Sequence, residues 1–319
     1  MAYTYKASIE KKLMAFEEYL RSKKYAPDTI RQTRNYAGVY LEWLEEQGMT
    51  AGQVEYRELT DFIFQLKKER AANLARRILL AVRHYYESLG IDKNPAAGIH
   101  IRGRRKSILN DIVPYPELIE LYRTYQALDD RTKRNKVILG LLIYQAVTTG
   151  ELHRLEVGHV KLKEGKIYIP GHGKSNSRTL PLEAAQLLDL QEYLLVIRPR
   201  MLANLKACRP GRKPERINPV VYERLFFSEN GNHDIKNSLL HLFRAVKRRY
   251  PKIASAKAIR SAVIAEWLKT KDVRIVQYMA GHRWVSSTER YNAFNLQDLK
   301  DSLKRHHPLG GRSSSPDEV

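Results

Sequence analysis

Cysteine is nearly absent from this sequence, since Cys208 is the single one among 319 residues. One cysteine cannot form an internal disulfide framework or a cysteine-rich zinc site. The sequence also lacks an apolar run of the about 20 residues that a membrane-spanning helix needs. Residues 1–6 contain no apolar stretch of the kind found in secretory signals. These absences predict a soluble, cytoplasmic protein.

Motifs for nucleotide, zinc and calcium sites are also missing. The sequence contains no GxxxxGK[ST] loop, no HExxH helix and no EF-hand pattern. Its adjacent histidines, His306 and His307, lie beside a Gly- and Ser-rich end. No paired carboxylates have metal-binding spacing, which argues against a two-metal nuclease. We therefore expect neither a cofactor nor a bound metal.

Acidic residues are outnumbered in this chain. It has 56 Lys and Arg against 35 Asp and Glu, a formal net charge of +21. An excess of this size favours a polyanionic partner, and nucleic acid is the first candidate. RNA binding is the less favoured alternative, because the sequence has no RRM or KH motif.

The apolar pattern divides the chain into several parts. Residues 1–98 carry four amphipathic stretches with apolar side chains three or four residues apart, which predicts an all-helical domain. Residues 99–107 include Arg102-Gly103-Arg104-Arg105-Lys106 and are interpreted as a basic linker. Residues 108–306 combine helical patterns with strands predicted at 160–163, 166–169 and 178–182, and 307–319 form a predicted disordered tail. The predicted fold class is mainly α with a small antiparallel β-sheet, in which a helical domain precedes a mixed α/β domain.

The most specific pattern lies near the end of the sequence. Arg260 is followed by Ala280-Gly281-His282, and Tyr291 comes nine residues after His282. Residues 286–288 read Ser-Ser-Thr. This arrangement resembles the tyrosine recombinase (phage integrase) family, which carries H-x-x-R, then L-G-H, then a nucleophilic tyrosine nine residues after that histidine. The resemblance covers about residues 6–306 and is strongest in the last third.

The chemistry of these residue types suits DNA strand cleavage without a metal. A tyrosine phenol can form a phosphotyrosine bond when nearby cations favour its phenolate. The guanidinium of arginine stays charged and binds two phosphate oxygens at once. The resemblance implies that Tyr291 is the nucleophile, that Arg260 and His282 contact the scissile phosphate, and that Lys174 is the general acid.

The resemblance further implies a site-specific recombinase that cuts and rejoins duplex DNA through a 3′-phosphotyrosine intermediate. The helical domain would grip one side of the duplex, and four protomers would assemble on two DNA sites. A helix after Tyr291, with apolar residues Leu296, Leu299 and Leu303, would dock onto a neighbouring protomer. The alternative is that this helix docks onto its own chain.

Two positions depart from the family pattern. Thr148 stands where T-G-x-R-x-S-E-L has its arginine, and Lys257 stands where H-x-x-R has its histidine. Thr148-Thr149-Gly150-Glu151 predicts a helix capping box instead. Loss of one phosphate-binding arginine costs on the order of 10²–10³ in rate. The alternative function is therefore a catalytically impaired DNA-binding protein descended from a recombinase.

Overall fold

The computed structural model describes residues 5–69, 72–101, 112–173, 175–206 and 218–292. The chain divides into two compact units, Met1–Ser107 and Ile108–Val319. Most of the predicted linker, the predicted helix at 296–304 and the predicted tail lie outside the described residues. So does Cys208. The domain boundaries and their assigned roles therefore stay predictions.

The described residues of the first unit form four long helices. Pro27 stands at the first position of the second of them, where its fixed φ suits a helix start and its missing N–H removes no bond. Lys24, with φ +58°, ends the first one in a left-handed turn. The helices are α1 (Ala7–Ser22), α2 (Pro27–Glu46), α3 (Tyr56–Glu69) and α4 (Ala72–Ser88).

The core of this unit is rich in aromatic side chains. Phe16 on α1 packs edge-on against Tyr85 on α4, with ring centroids 5.5 Å apart. The hydroxyls of Tyr40 on α2 and Tyr86 on α4 are 2.7 Å apart, so two buried polar atoms pair with each other. This satisfies groups that would otherwise destabilise the core.

The second unit has its own core, which surrounds a long apolar helix. Asp129 caps the start of helix α6, because its side chain accepts a hydrogen bond from the N–H of Thr132, and the helix is buried along most of its length. A π-helical turn, Tyr193–Ile197, interrupts the helix that follows the sheet. The helices are α5 (Tyr115–Thr124), α6 (Asp130–Tyr144), α7 (Thr149–Leu152), α8 (Ala184–Glu192), α9 (Arg198–Lys206), α10 (Val220–Glu223), α11 (Lys236–Arg249), α12 (Ala256–Thr270), α13 (Val273–Ala280) and α14 (Ser286–Glu289).

The sheet has three antiparallel strands in the order β1 (Val160–Lys161), β2 (Lys166–Ile169) and β3 (Arg178–Pro181). Ile167 pairs with Leu180, and both are buried. The first strand was predicted to reach residue 163, which is wrong. A 3₁₀ turn at Leu162–Glu164 ends it, because left-handed Gly165 closes the hairpin immediately afterwards.

The described part of the chain thus has the predicted class, mainly α with a small antiparallel sheet, and that prediction is confirmed. None of the helices in the described ranges is long and apolar enough to cross a membrane.

Candidate functional site

Arg260 lies near the start of α12, which begins after Ser255. The Oγ of Ser255 accepts a hydrogen bond from the N–H of Ala258. The Arg260 guanidinium donates through Nη1 to the carbonyl of Ala146 and through Nη2 to the carbonyl of Ala280, 2.6 Å away. Burial lowers its pKa to about 10, so the group stays charged at neutral pH. It joins the loop before α7 to the end of α13.

His282 follows directly on the end of α13. Gly281 adopts φ +65°, a left-handed conformation that ends the helix and turns the chain. The Nδ1 atom of His282 lies 2.8 Å from Oγ1 of Thr288. Burial, together with the charges of Arg260, Arg178 and Arg290, lowers the pKa of His282 to about 4. The imidazole is therefore neutral at pH 7.

Tyr291 comes two residues after α14 ends. Its ring stacks on the ring of His282, with centroids 6.2 Å apart and planes 10° from parallel. Its backbone N–H donates to the carbonyl of Thr288 at 2.9 Å. The ring packs against the core of this unit and interacts electrostatically with Arg260. Three of the predicted site residues, Arg260, His282 and Tyr291, thus lie together.

A buried ion pair lies next to Arg260 and His282. Glu151 on α7 and Arg178 at the start of β3 are both 0% exposed, and two hydrogen bonds of 2.6 and 3.2 Å join them. Ser175 Oγ and the N–H of Thr148 also donate to the Glu151 carboxylate. Burial alone would raise the pKa of Glu151, but the hydrogen bonds and charge of Arg178 outweigh it and hold that pKa at about 2.

The ion pair lies directly against the turn that carries His282. A Cβ atom on Gly281 would lie 2.4 Å from Nη1 of Arg178 and 3.0 Å from the carbonyl oxygen of Asn176. The N–H of Asn176 donates to the carbonyl of Gly281 at 2.9 Å. Glycine at 281 is therefore required both by its φ and by this close approach.

Lys174, the predicted general acid, lies outside the described residues. The next residues of the same β2–β3 loop, Ser175 and Asn176, are described and lie against the His282 turn. Ser175 forms an antiparallel bridge with His282. The role of Lys174 stays a prediction.

The two departures from the family pattern have clear local structures. Thr148 caps α7: its Oγ1 accepts from the N–H of Glu151, whose carboxylate accepts from the N–H of Thr148. The predicted capping box is confirmed. Ala146 has φ +49°, a left-handed conformation, at the position where the T-G-x-R motif has glycine. This conformation supports assigning Thr148 to the arginine position. Lys257 is exposed one turn before Arg260 on α12.

Comparison with protein families identifies the chain. Residues 116–298 match the family described as the phage integrase family, and this match spans more than half of the chain. The chain belongs to the phage integrase family. The prediction of a site-specific DNA recombinase of the tyrosine class is therefore confirmed at the level of the family.

Curated relatives of this integrase-family chain are similar along almost their whole length. Tyrosine recombinase XerC of Lactobacillus leichmannii is 24% identical over 304 residues, which are 92% of this chain and 97% of that protein. Tyrosine recombinase XerD of Chlorobaculum tepidum is 24% identical over 319 residues, covering 94% of this chain and 97% of that protein.

Solved structures share the fold at low identity. The XerH site-specific recombinase, bound to a palindromic difH substrate, has a TM-score of 0.67 at 14% identity and covers 95% of this chain and 98% of its own. The Tn1549 transposon integrase, in complex with transposon right-end DNA, has a TM-score of 0.62 at 14% identity. It covers 92% of this chain and 99% of its own.

Several residues of the integrase-family site escaped sequence reasoning. Glu151 was predicted only as part of the capping box with Thr148, and its pairing with Arg178 was not predicted. Arg178 shares the buried face of β3 with Leu180, and a charged residue at an inward strand position indicates a buried partner. Arg290, exposed beside Tyr291, carries a charge that reaches His282.

Proposed function

We propose that this protein cuts and rejoins DNA strands at specific sites, with Tyr291 as the nucleophile. The observation that carries the proposal is the stacking of Tyr291 on neutral His282 beside charged Arg260. A nucleophile, a hydrogen-bonding imidazole and a permanent cation are the groups that phosphoryl transfer to tyrosine needs.

In the forward step, the Tyr291 phenolic oxygen attacks the scissile phosphorus. A bond forms between this oxygen and the phosphorus, which stays attached to the 3′ end of the cut strand. The bond between the phosphorus and the 5′ oxygen breaks. The phenol loses its proton and the leaving 5′ oxygen gains one, the transfer that the resemblance assigns to Lys174. Rejoining reverses these steps, because a 5′-hydroxyl attacks the phosphotyrosine bond and restores the phenol without an external energy source.

Positive charge on the non-bridging oxygens comes from more than one side chain in this proposal. Arg260 stays charged, whereas His282 is neutral and acts through a hydrogen bond. Lys257 and Arg290 are exposed, and the charge of Arg290 acts on His282, so we assign both as further cations for the phosphate. In this proposal, Lys257 and Arg290 supply the positive charge that the family's arginine would supply at position 148.

Duplex DNA is the proposed partner, held largely through its phosphates. In the first unit a groove between α4 and residues 99–101 is lined by Arg76, Arg77 and His100, which are exposed. Basic side chains along a groove suit the regular charge of a phosphate backbone. The solved XerH and Tn1549 relatives hold DNA, which supports the same partner here. A tetramer on two sites, and a location in the cytoplasm, stay predictions.

Trapping of a covalent adduct tests the proposal. Nicked duplexes with a randomised central sequence serve as the probe, because a strand cut next to a nick releases a short fragment and leaves the protein attached. We expect wild-type protein to select duplex sequences that stay covalently attached to it on a denaturing gel. Tyr291→Phe abolishes this adduct, whereas Tyr168→Phe, a change on partly exposed β2, leaves it intact.

Two results would overturn the proposal. An adduct that survives in Tyr291→Phe excludes this nucleophile. Sequence-selective binding by wild-type protein without any adduct indicates the alternative, a DNA-binding protein that has lost cleavage.

A further inference from the structure

Thr288 lies between the two groups on which the proposed reaction depends. Its side chain is 0% exposed, and its Oγ1 is 2.8 Å from Nδ1 of His282. Its backbone carbonyl accepts the N–H of Tyr291 at 2.9 Å. One buried residue therefore contacts both the imidazole and the segment that carries the nucleophile.

Among the described residues, the hydroxyl proton of Thr288 has one acceptor. In the described part of the chain, Nδ1 of His282 is the single hydrogen-bond partner of Thr288 Oγ1. A buried hydroxyl that donates to nothing is costly, so the bond is best satisfied when Thr288 donates and Nδ1 accepts. The one hydrogen of a neutral imidazole must then be on Nε2.

We propose that Thr288 is a positioning residue for strand cleavage, because its hydroxyl donates to Nδ1 of His282 and thereby places the ring hydrogen on Nε2. This inference rests on the proposed function. Nε2 makes no hydrogen bond within the described residues, and it is the atom left to donate to a non-bridging phosphate oxygen. The opposite tautomer would present a lone pair, which repels an anionic phosphate.

Burial and the charged side chains around His282 keep its imidazole neutral at pH 7. Arg260, Arg178 and Arg290 carry positive charge near the ring, and Glu151 carries the opposing negative charge. The ring of Tyr291 lies nearly parallel to this ring. A neutral ring has two tautomers to choose between, so a fixed hydrogen bond to Nδ1 decides which one is present.

Nuclear magnetic resonance of the full chain labelled with ¹⁵N-histidine tests the tautomer directly and needs no DNA. His282→Asn identifies the His282 signals by their loss. We expect wild-type protein at pH 7 to show an unprotonated Nδ1 and a protonated Nε2. Thr288→Ser keeps this pattern, whereas Thr288→Val gives tautomer-averaged signals. A protonated Nδ1 in wild-type protein overturns the inference, even if Thr288→Val does not fold.

Adduct formation supplies the second readout, with a duplex selected by wild-type protein. We expect Thr288→Val to slow the adduct by about tenfold, with Thr288→Ser restoring it. Ser286→Ala, which removes an exposed hydroxyl from the same helix, is the control with an unchanged rate. Equal rates for Thr288→Val and wild type overturn the inference. Absence of any wild-type adduct contradicts the proposed function instead and leaves the tautomer result standing.

Discussion

At the scale of single residues, the phenol of Tyr291 lies against an imidazole that has no charge at neutral pH. In the proposed reaction, positive charge for the phosphate must then come from arginine and lysine. Both Nη groups of Arg260 already donate to the carbonyls of Ala146 and Ala280. Arg290 is exposed, and its charge reaches His282. We therefore propose that Arg290 is a cation that contacts the scissile phosphate.

Arg290→Gln tests this role. We expect covalent adduct formation to slow by about 10- to 100-fold, because one cation beside the developing charge is lost. Arg283→Gln is the matched control, since Arg283 is an exposed arginine in the same segment and stacks over Trp284 instead. Equal slowing by both changes would show a general loss of DNA grip rather than a role at the phosphate.

The Glu151–Arg178 pair is a second feature of single residues, and it makes stability depend on pH. Glu151→Gln leaves a buried guanidinium without its counter-charge, so we expect the free energy of unfolding at pH 7 to fall by about 3 kcal/mol. Glu156→Gln breaks the more exposed pair with Arg224 and should cost less than about 1 kcal/mol. Urea unfolding measures both.

The direction of the pH effect follows from the pKa of Glu151. Folding holds it at about 2, below its ordinary 4.5. The pair therefore stabilises the fold fully above pH 4.5, and this stability is lost as the pH falls from 4.5 towards 2. The difference in stability between pH 7 and pH 3.5 should shrink in Glu151→Gln. An unchanged difference would show that other carboxylates dominate acid unfolding.

At the scale of helices and strands, the end of α1 contains an unfavourable conformation. Lys24 has φ +58° and is exposed, and its N–H donates to the carbonyl of Arg21 at 2.9 Å. A left-handed conformation costs a side-chain-bearing residue about 1–2 kcal/mol. Ala146 shares this conformation, but its buried methyl group offsets part of the gain that glycine would bring there.

Lys24→Gly should raise the thermal stability of the first unit. The expected gain is about 0.5–1 kcal/mol, because relief of the left-handed strain exceeds the added entropy of the unfolded chain. Lys23→Gly is the control. Lys23 has φ −78°, so glycine brings no relief there, and calorimetry should show no gain. A gain of equal size at both positions would contradict the explanation.

Sequence patterns found most long elements because those elements follow local rules. Helix α13, for example, begins at Val273 because the side chain of Asp272 accepts a hydrogen bond from the N–H of Arg274 and caps the helix. The capping box at Thr148 was predicted for the same local reason. The π-helical turn depends on packing, and the early end of β1 depends on the turn at Gly165. The spacing of apolar residues along the sequence reports neither of them.

In the candidate site, too, some residues could be predicted from the sequence and some contacts could not. Arg260, His282 and Tyr291 were found by fixed spacing along the chain. The pairing of Glu151 with Arg178 joins residues 27 apart, and no spacing rule reports such a contact. The bond from Thr288 to His282 spans six residues, but it requires the turn at Gly281 to fold the chain back.

At the scale of the whole molecule, the excess of 56 basic over 35 acidic residues predicts steep salt dependence. A protein that contacts six to ten phosphates loses about 10³–10⁵ in affinity between 50 and 200 mM salt. We expect that range here, measured as the slope of log Kd against log salt concentration. Arg76→Gln with Arg77→Gln should reduce the slope by about two. An unchanged slope would exclude this groove from the DNA interface.

Trp284 gives the molecule an optical property that follows from its position. The chain has three tryptophans. Trp43 and Trp267 are partly buried in the two units, whereas Trp284 is 66% exposed and lies two residues after His282. Indole emission depends on contact with water, and nucleic acid bases quench it. The fluorescence of Trp284 should therefore change whenever a duplex covers the site, which allows binding to be timed separately from cleavage without any added label.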